Sequence, residues 1–169
     1  AFGTGTHPTT QLCMRFLENH IQHGINVIDV GCGSGILSIA ALKLGAKHVL
    51  AVDVDNEAIK STLENAGFNK ISPSALEAQQ GSIREIISGE FSIQKAPLVL
   101  VNILASIIID LFENGLEKIV EKDGILLLSG ILDHQEEAVM MAGKKAGFSL
   151  VEKLSESDWI SFALRKTVK

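Results

Sequence analysis

Short apolar runs alternate with longer amphipathic segments along most of this 169-residue chain. Residues 27–30 are mainly β-branched and lie between glycines, which predicts a strand. Residues 34–44 carry apolar side chains at helical spacing and are followed by Gly45, which predicts a helix. The same order predicts further strands at 49–54, 75–79, 98–101 and 125–129, and helices at 55–65, 105–120 and 134–146.

Strands that alternate with helices require a parallel sheet that is covered on both faces. The last two predicted strands, 148–153 and 159–165, are joined by a polar turn that is too short for a crossover. We therefore expect one doubly wound α/β domain, with a mostly parallel sheet, helices on both faces and an antiparallel hairpin at the C-terminus.

Composition narrows the class of protein further. Hydrophobic residues make up 46% of the chain, which supplies the apolar surface that a folded core needs. The net charge is −5 and no basic stripe is present, so we expect no direct nucleic-acid binding. The longest apolar stretch, 98–109, is shorter than the roughly 20 residues of a membrane span, so we expect no membrane partner. Two cysteines are too few for a disulfide framework and fit a cytoplasmic protein.

A glycine-rich loop follows the first predicted strand and reads Asp29-Val30-Gly31-Cys32-Gly33-Ser34-Gly35. Glycines let the backbone approach a ligand, and the next helix offers free N–H groups. Asp53 ends the second predicted strand, where a carboxylate can accept hydrogen bonds from ribose hydroxyls. The dinucleotide fingerprint has a third glycine where this chain has Ile36, so a nucleoside cofactor without a pyrophosphate fits better. A glycine turn that serves only packing stays open as an alternative.

The loop, the acidic residue after the second strand and the terminal hairpin resemble class I methyltransferases that use S-adenosylmethionine. Four segments are more closely similar to the ribosomal protein L11 methyltransferase family: AFGTGTHPTT at 1–10, GCGSGIL at 31–37, VNILA at 101–105 and SGIL at 129–132. The resemblance spans essentially the whole chain and implies a Rossmann-like domain with a seven-stranded sheet. Family members carry an additional N-terminal substrate-recognition domain, so we expect residues 1–169 to be the methyltransferase domain of a longer protein.

The resemblance implies S-adenosylmethionine as the cofactor and Thr10, Gly31, Asp53 and Asn102 as its contacts, with Gly33 contributed by the same loop. Asp29 would suit the ammonium group of such a ligand. Thr10 would cover the methionine end of the cofactor, or it would only cap a helix over 10–19.

Asn102 ends an apolar strand, at the position where ligands bind in open α/β sheets. In related amine methyltransferases the Asn at this position holds the acceptor nitrogen, which makes Asn102 the candidate catalytic residue for orienting an amine. Those enzymes continue with two prolines and an aromatic residue, whereas this chain continues with Ile103-Leu104-Ala105, so the aromatic clamp does not carry over. A cap for the next helix is the structural alternative for Asn102.

Other candidate residues carry weaker signals. Ser82 lies where many class I enzymes have an Asp for the adenine amino group. His7 resembles a catalytic base, but a turn histidine that precedes a proline is more often structural. Cys32 has no second nearby cysteine for redox chemistry, and Trp159 is predicted to pack in the core. No Cys and His spacing indicates a metal site.

The resemblance implies an N-methyltransferase acting on amino groups, lysine side chains and an N-terminal amine, of a ribosomal large-subunit protein. The acidic net charge of −5 complements such a basic partner. A methyltransferase-fold binding module without catalysis stays open. A nicotinamide-dependent dehydrogenase is disfavoured by Ile36 and by the absence of tyrosine from the sequence.

Overall fold

The computed structural model describes residues 6–167, so residues 1–5 of the 1–10 motif lie outside the described part. The strands are β1 (Asn26–Val30), β2 (His48–Asp53), β3 (Leu76–Gln80), β4 (Ala96–Asn102), β5 (Val120–Leu132), β6 (Phe148–Glu156) and β7 (Trp159–Lys166). The α-helices are α1 (Pro8–His20), α2 (Ile36–Lys43), α3 (Asn56–Phe68), α4 (Ile83–Ile87), α5 (Ala105–Glu113) and α6 (Glu136–Lys145). Short 3₁₀ turns cover Leu116–Ile119 and Asp133–Gln135.

The strands form one seven-stranded sheet in the order β3-β2-β1-β4-β5-β7-β6. All pairs from β3 to β5 are parallel, and β7 lies between β5 and β6 and is antiparallel to both. The predicted doubly wound, Rossmann-like sheet with its antiparallel hairpin is therefore confirmed. The order reverses between β1 and β4, and the crevice at the carboxyl ends of such a strand pair is where α/β sheets bind ligands.

The central strands are buried on both faces, which explains their continuous apolar sequences. In β1, Ile28 packs in the cluster on one face of the sheet and Val27 in the cluster on the other, and both are fully buried. Val99 and Leu98 of β4 divide between the same two clusters. These two apolar layers pack on the paired strands β1 and β4, whose carboxyl ends form the crevice.

Some predicted boundaries are wrong for local reasons. The helix predicted over 105–120 ends at Glu113, because Asn114 leaves helical geometry and Gly115 adopts a left-handed conformation at φ +100°. The prediction missed α4, whose five residues are too short for a helical period to appear. Within residues 6–167, no helix combines the length and the apolar character that a bilayer span requires.

Candidate functional site

A small cavity of about 40 Å³ lies at the carboxyl ends of β1 and β4. Its walls are formed by Thr10, Asp29, Gly31, Cys32, Gly33, Ser34, Ile36, Leu37 and Asn102. The structure thus brings together four of the five predicted cofactor contacts. The volume is below the range of about 300 Å³ and more that whole ligands occupy, so the cavity accommodates only the inner end of a nucleoside ligand. Larger grooves of about 510 and 500 Å³ lie on either side of α5, and none of the five predicted contacts lines them.

The glycine loop turns sharply out of β1 and back into α2. Gly31 adopts φ +76°, and a Cβ on it would lie 2.7 Å from Cγ2 of Ile103, so only glycine fits there. Gly33 also has a left-handed φ, of +55°, but its missing Cβ would point into open space. The loop therefore packs tightly against Ile103 at Gly31. At Gly33 it leaves free volume, and a ligand needs this volume to approach the backbone closely.

Asp53, the fifth predicted contact, joins the loop to the next helix. Its Oδ2 accepts a hydrogen bond from the backbone N–H of Gly33 at 3.0 Å, and its Oδ1 accepts one from the N–H of Asp55 at 2.9 Å. Asp55 caps α3 through the N–H of Glu57, as the sequence indicates. Each carboxylate oxygen can accept more than one hydrogen bond, so Asp53 retains capacity for a pair of ligand hydroxyls.

Two residues of α3 that the sequence analysis missed hold the other side of the loop. The hydroxyl of Thr62 donates to the carbonyl of Gly33 at 2.9 Å, and the side-chain amide of Asn65 donates to the carbonyl of Ser34 at 2.8 Å. Thr62 is fully buried on the same helix face as Ile59. A polar residue on that apolar face was the available signal, because a buried hydroxyl needs a partner.

Asp29 is a buried carboxylate at the back of the cavity. It is 2% exposed, and the hydroxyl of Ser38 donates to its Oδ2 at 2.7 Å. Burial raises the pKa of Asp29 to about 6; the hydrogen bond from Ser38 opposes the shift, and the negative charge of Asp53 adds to it. A cationic group beside Asp29 would favour its ionised form and lower this pKa again.

Thr10 lies in the first turn of α1 and is buried against the cavity. The N-cap of this helix is His7, whose Nδ1 accepts a hydrogen bond from the N–H of Thr9 at 3.2 Å. The capping alternative for Thr10 is therefore wrong, and the structural interpretation of His7 is supported. Trp159 is only partly buried, so the core prediction for it is also wrong; its ring meets His7 edge-on with centroids 5.1 Å apart.

Asn102 is the last residue of β4, and its Oδ1 is buried with no hydrogen-bond partner among residues 6–167. The N-cap position of α5 is taken by Leu104, so Asn102 does not cap that helix. An unsatisfied buried acceptor costs about 1–3 kcal/mol. Asn102 lines the small cavity, and its amide oxygen keeps the capacity to accept a hydrogen bond.

The remaining candidates are the cysteines, of which Cys32 lines the cavity, and Ser82. Burial raises the pKa of both Cys13 and Cys32 to about 12, so both thiols stay neutral. Ser82 is the N-cap of α4, and its N–H donates to the carboxylate of Glu85 at 2.8 Å. It lines the groove between α4 and α5 and not the small cavity.

A doubly wound sheet with a glycine loop after β1, an acidic residue ending β2 and a polar residue ending β4 is the arrangement of a nucleoside-cofactor domain of methyltransferase type. The model of the family described as Ribosomal protein L11 methyltransferase (PrmA) matches residues 1–167. The chain belongs to this family.

Individual relatives agree with this assignment. The ribosomal protein L11 methyltransferase of Thermotoga neapolitana is 39% identical over 167 residues, which cover 99% of this chain and 60% of that protein. The ribosomal protein L11 methyltransferase of Bacillus subtilis (strain 168) is 43% identical over 166 residues, which cover 98% of this chain and 51% of that protein. The crystal structure of a ribosomal protein L11 methylase from Lactobacillus delbrueckii subsp. bulgaricus superposes with a TM-score of 0.86 at 35% identity, over 97% of this chain and 81% of that one. This chain thus spans 51% to 60% of the length of these two curated relatives.

Proposed function

We propose that this chain binds S-adenosylmethionine and forms the methyl-transferring part of a protein N-methyltransferase that acts on ribosomal protein L11. The observation that carries the proposal is the unpartnered Oδ1 of Asn102 beside the Gly31 loop, in a chain of this family. The names of the curated relatives give ribosomal protein L11 as the protein that is methylated, and we propose lysine side chains and the N-terminal amine as the acceptors.

The residues around the cavity fit the cofactor group by group. The backbone at Gly33 leaves space for close approach, and Gly31 lines the cavity beside it. Asp53 offers two oxygens to the ribose diol through charge-assisted bonds. The buried carboxylate of Asp29 suits the ammonium of the methionine end, which Thr10 covers from α1. The cofactor supplies an activated methyl group on a sulfonium.

Asn102 orients the acceptor in this proposal. Its Oδ1 accepts an N–H of the amine and so directs the nitrogen lone pair along the line of transfer. Alignment of reacting atoms about 3 Å apart contributes several kcal/mol to such a reaction. No nucleophile of the protein itself is required.

The amide chemistry of Asn102 also bears on the protonation state of the acceptor. A lysine amine has an ordinary pKa of about 10.4 and must lose a proton before it can react. Ile36 and Leu37 form an apolar part of the cavity wall, which disfavours the charged form of the amine. The neutral amide of Asn102 accepts an N–H of the amine, but it stabilises the charged form much less than a carboxylate would. Asn in place of Asp at this position therefore fits an amine that reacts in its neutral form.

The partner and the compartment follow from the same proposal. A net charge of −5 complements a basic ribosomal protein and supports contact with the protein itself and not with RNA. We place the activity in the cytoplasm, with ribosomal protein L11 as the partner.

The competing dehydrogenase function is tested by ligand choice. Ile36 is the first residue of α2 and lines the cavity, at the position where the dinucleotide fingerprint has its third glycine. Calorimetric titration of this chain with S-adenosylhomocysteine and, separately, with NADH is expected to give binding of the first only. Binding of NADH without binding of S-adenosylhomocysteine would overturn the proposal.

Catalysis is tested by transfer of a radiolabelled methyl group from S-adenosylmethionine to ribosomal protein L11. We expect weak or no transfer by this chain alone, and label in L11 that depends on Asn102 when the chain is assayed as part of a longer protein with a substrate-recognition domain. Cofactor binding with no transfer, even in the intact protein, would support the alternative of a binding module.

A further inference from the structure

The pairing of β5 with β7 is irregular at Ser129 and Gly130. These two residues contact both walls of the cavity, the start of α1 and the end of β4. We propose that Ser129 and Gly130 are positioning residues, which set Thr10 and Asn102 at the distance that cofactor binding requires. The inference rests on the proposed cofactor. Bulges of this kind re-aim side chains next to active sites.

The first wall is the start of α1. The hydroxyl of Ser129 donates to the backbone carbonyl of Thr9 at 2.9 Å, and its oxygen lies 2.5 Å from that of Ser161 on β7. Ser129, Ser161 and Thr9 are all fully buried. Either hydroxyl can donate in the bond between Ser129 and Ser161, whereas the carbonyl of Thr9 can only accept. A side chain of the central sheet therefore holds the residue next to Thr10.

The second wall is the end of β4. Asn102 pairs with Ser129 in the parallel ladder, and the carbonyl of Ser129 accepts a hydrogen bond from the N–H of Ile103 at 3.2 Å. The backbone on both sides of the Asn102 side chain is thus tied to β5. Ser129 fixes one wall through its hydroxyl and the other through its carbonyl.

Gly130 sets how closely β5 approaches that wall. It has φ +95°, and a Cβ on it would lie 2.1 Å from the carbonyl oxygen of Ile103. Ile103 also contacts Gly31, because its Cγ2 lies 2.7 Å from the position that a Cβ of Gly31 would occupy. Ile103 is therefore confined between two glycines, and any side chain at position 130 would displace it toward the cofactor loop.

The hydroxyl function of Ser129 is tested by titrating S-adenosylhomocysteine into Ser129→Ala and the matched control Ser161→Ala, well below their melting temperatures. Ser161→Ala removes a buried hydroxyl of the same cluster but leaves the bond from Ser129 to Thr9. We expect Ser129→Ala to weaken binding roughly tenfold and Ser161→Ala less than twofold, although both lower the melting temperature. Equal effects on affinity would overturn the positioning role, because a purely structural role does not separate the two variants.

The function of Gly130 is tested by comparing the cofactor affinities of Gly130→Ala and Gly24→Ala. This second comparison tests the positioning inference in case Ser129→Ala does not fold. Gly24 also has a left-handed φ, of +83°, but a Cβ there would meet nothing within 4 Å. Both variants thus place a Cβ at a left-handed φ, and of the two only Gly130→Ala collides with Ile103. We expect more than a tenfold loss of affinity for Gly130→Ala and less than a twofold loss for Gly24→Ala. Similar affinities would overturn the inference.

The unaltered chain separates the two proposals. If it does not bind S-adenosylhomocysteine, the proposed function fails. If it binds, and Ser129→Ala and Gly130→Ala bind equally well, only the positioning inference fails.

Discussion

The carboxylate of Asp53 accepts a hydrogen bond from the backbone N–H of Gly33 at 3.0 Å. This bond links the end of β2 to the glycine loop after β1, across two strands that are neighbours in the sheet. The residue expected to hold the ribose therefore also fixes the loop that approaches the cofactor. Ligand contact and loop geometry depend on one side chain.

Replacement of Asp53 by Ala is expected to lower the affinity for S-adenosylhomocysteine roughly 100-fold, because two charge-assisted hydrogen bonds and the loop contact are lost together. The matched control is Asp55→Ala, which removes a neighbouring carboxylate and the cap of α3. That control should cost about 1 kcal/mol of stability and leave affinity nearly unchanged. Calorimetry and thermal unfolding of both variants measure this. Unchanged affinity in Asp53→Ala would remove Asp53 from the site.

Asn102→Ala is expected to separate stability from function. The substitution removes a buried oxygen that has no partner among residues 6–167, so the free energy of unfolding should stay the same or rise by up to about 1 kcal/mol. Methyl transfer to ribosomal protein L11 should nevertheless fall at least tenfold, because the acceptor loses its orienting group. Asn65→Ala is the control, since it removes an amide whose bond to Ser34 is satisfied and should destabilise the protein. A marked loss of stability in Asn102→Ala would contradict the interpretation of its oxygen.

The buried carboxylate of Asp29 predicts a pH dependence of stability. Its folded-state pKa is raised by burial to about 6 from 3.8, so between these values the folded protein binds the proton more tightly than the unfolded chain. Stability from this group is therefore gained as the pH falls from about 6 to about 4, by at most about 3 kcal/mol. Unfolding titrations of the unaltered protein and of Asp29→Asn at several pH values measure the difference. If the free energy of unfolding changes with pH in the same way for the two proteins, Asp29 does not titrate between about pH 4 and about pH 6.

Thr62 provides a test of the contact between α3 and the loop. Thr62→Val keeps the shape of the side chain but removes the hydroxyl that donates to the carbonyl of Gly33. We expect a loss of roughly fivefold in cofactor affinity, because that carbonyl loses a buried partner. Thr62→Ser keeps the hydroxyl and should bind within twofold of the unaltered protein. A Ser variant as weak as the Val variant would assign the effect to packing.

The sequence predicted those parts of the site that short-range patterns encode. Gly31, Gly33 and Asp53 follow apolar strands at characteristic spacings, and the alternation of elements was sufficient to place them at one edge of a parallel sheet. Asn102 was recognised because it ends a strand that is otherwise apolar.

The contacts of Thr62 and Ser129 could not be predicted, because they depend on packing between distant segments. Thr62 meets the loop 29 residues away, and the hydroxyl of Ser129 meets the carbonyl of Thr9 across 120 residues. Neither periodicity nor turn chemistry carries information at that range. Trp159 was misplaced for a similar reason, since its ring contact depends on where His7 lies.

The central claim is tested most directly by a crystal structure of this chain with S-adenosylhomocysteine. The account predicts polar ligand atoms about 2.7–3.2 Å from the carboxylate of Asp53, with the methionine end of the ligand between Thr10 and the Gly31 loop and next to Asn102. A ligand in the groove between α4 and α5, or one that contacts neither Asp53 nor the Gly31 loop, would contradict it.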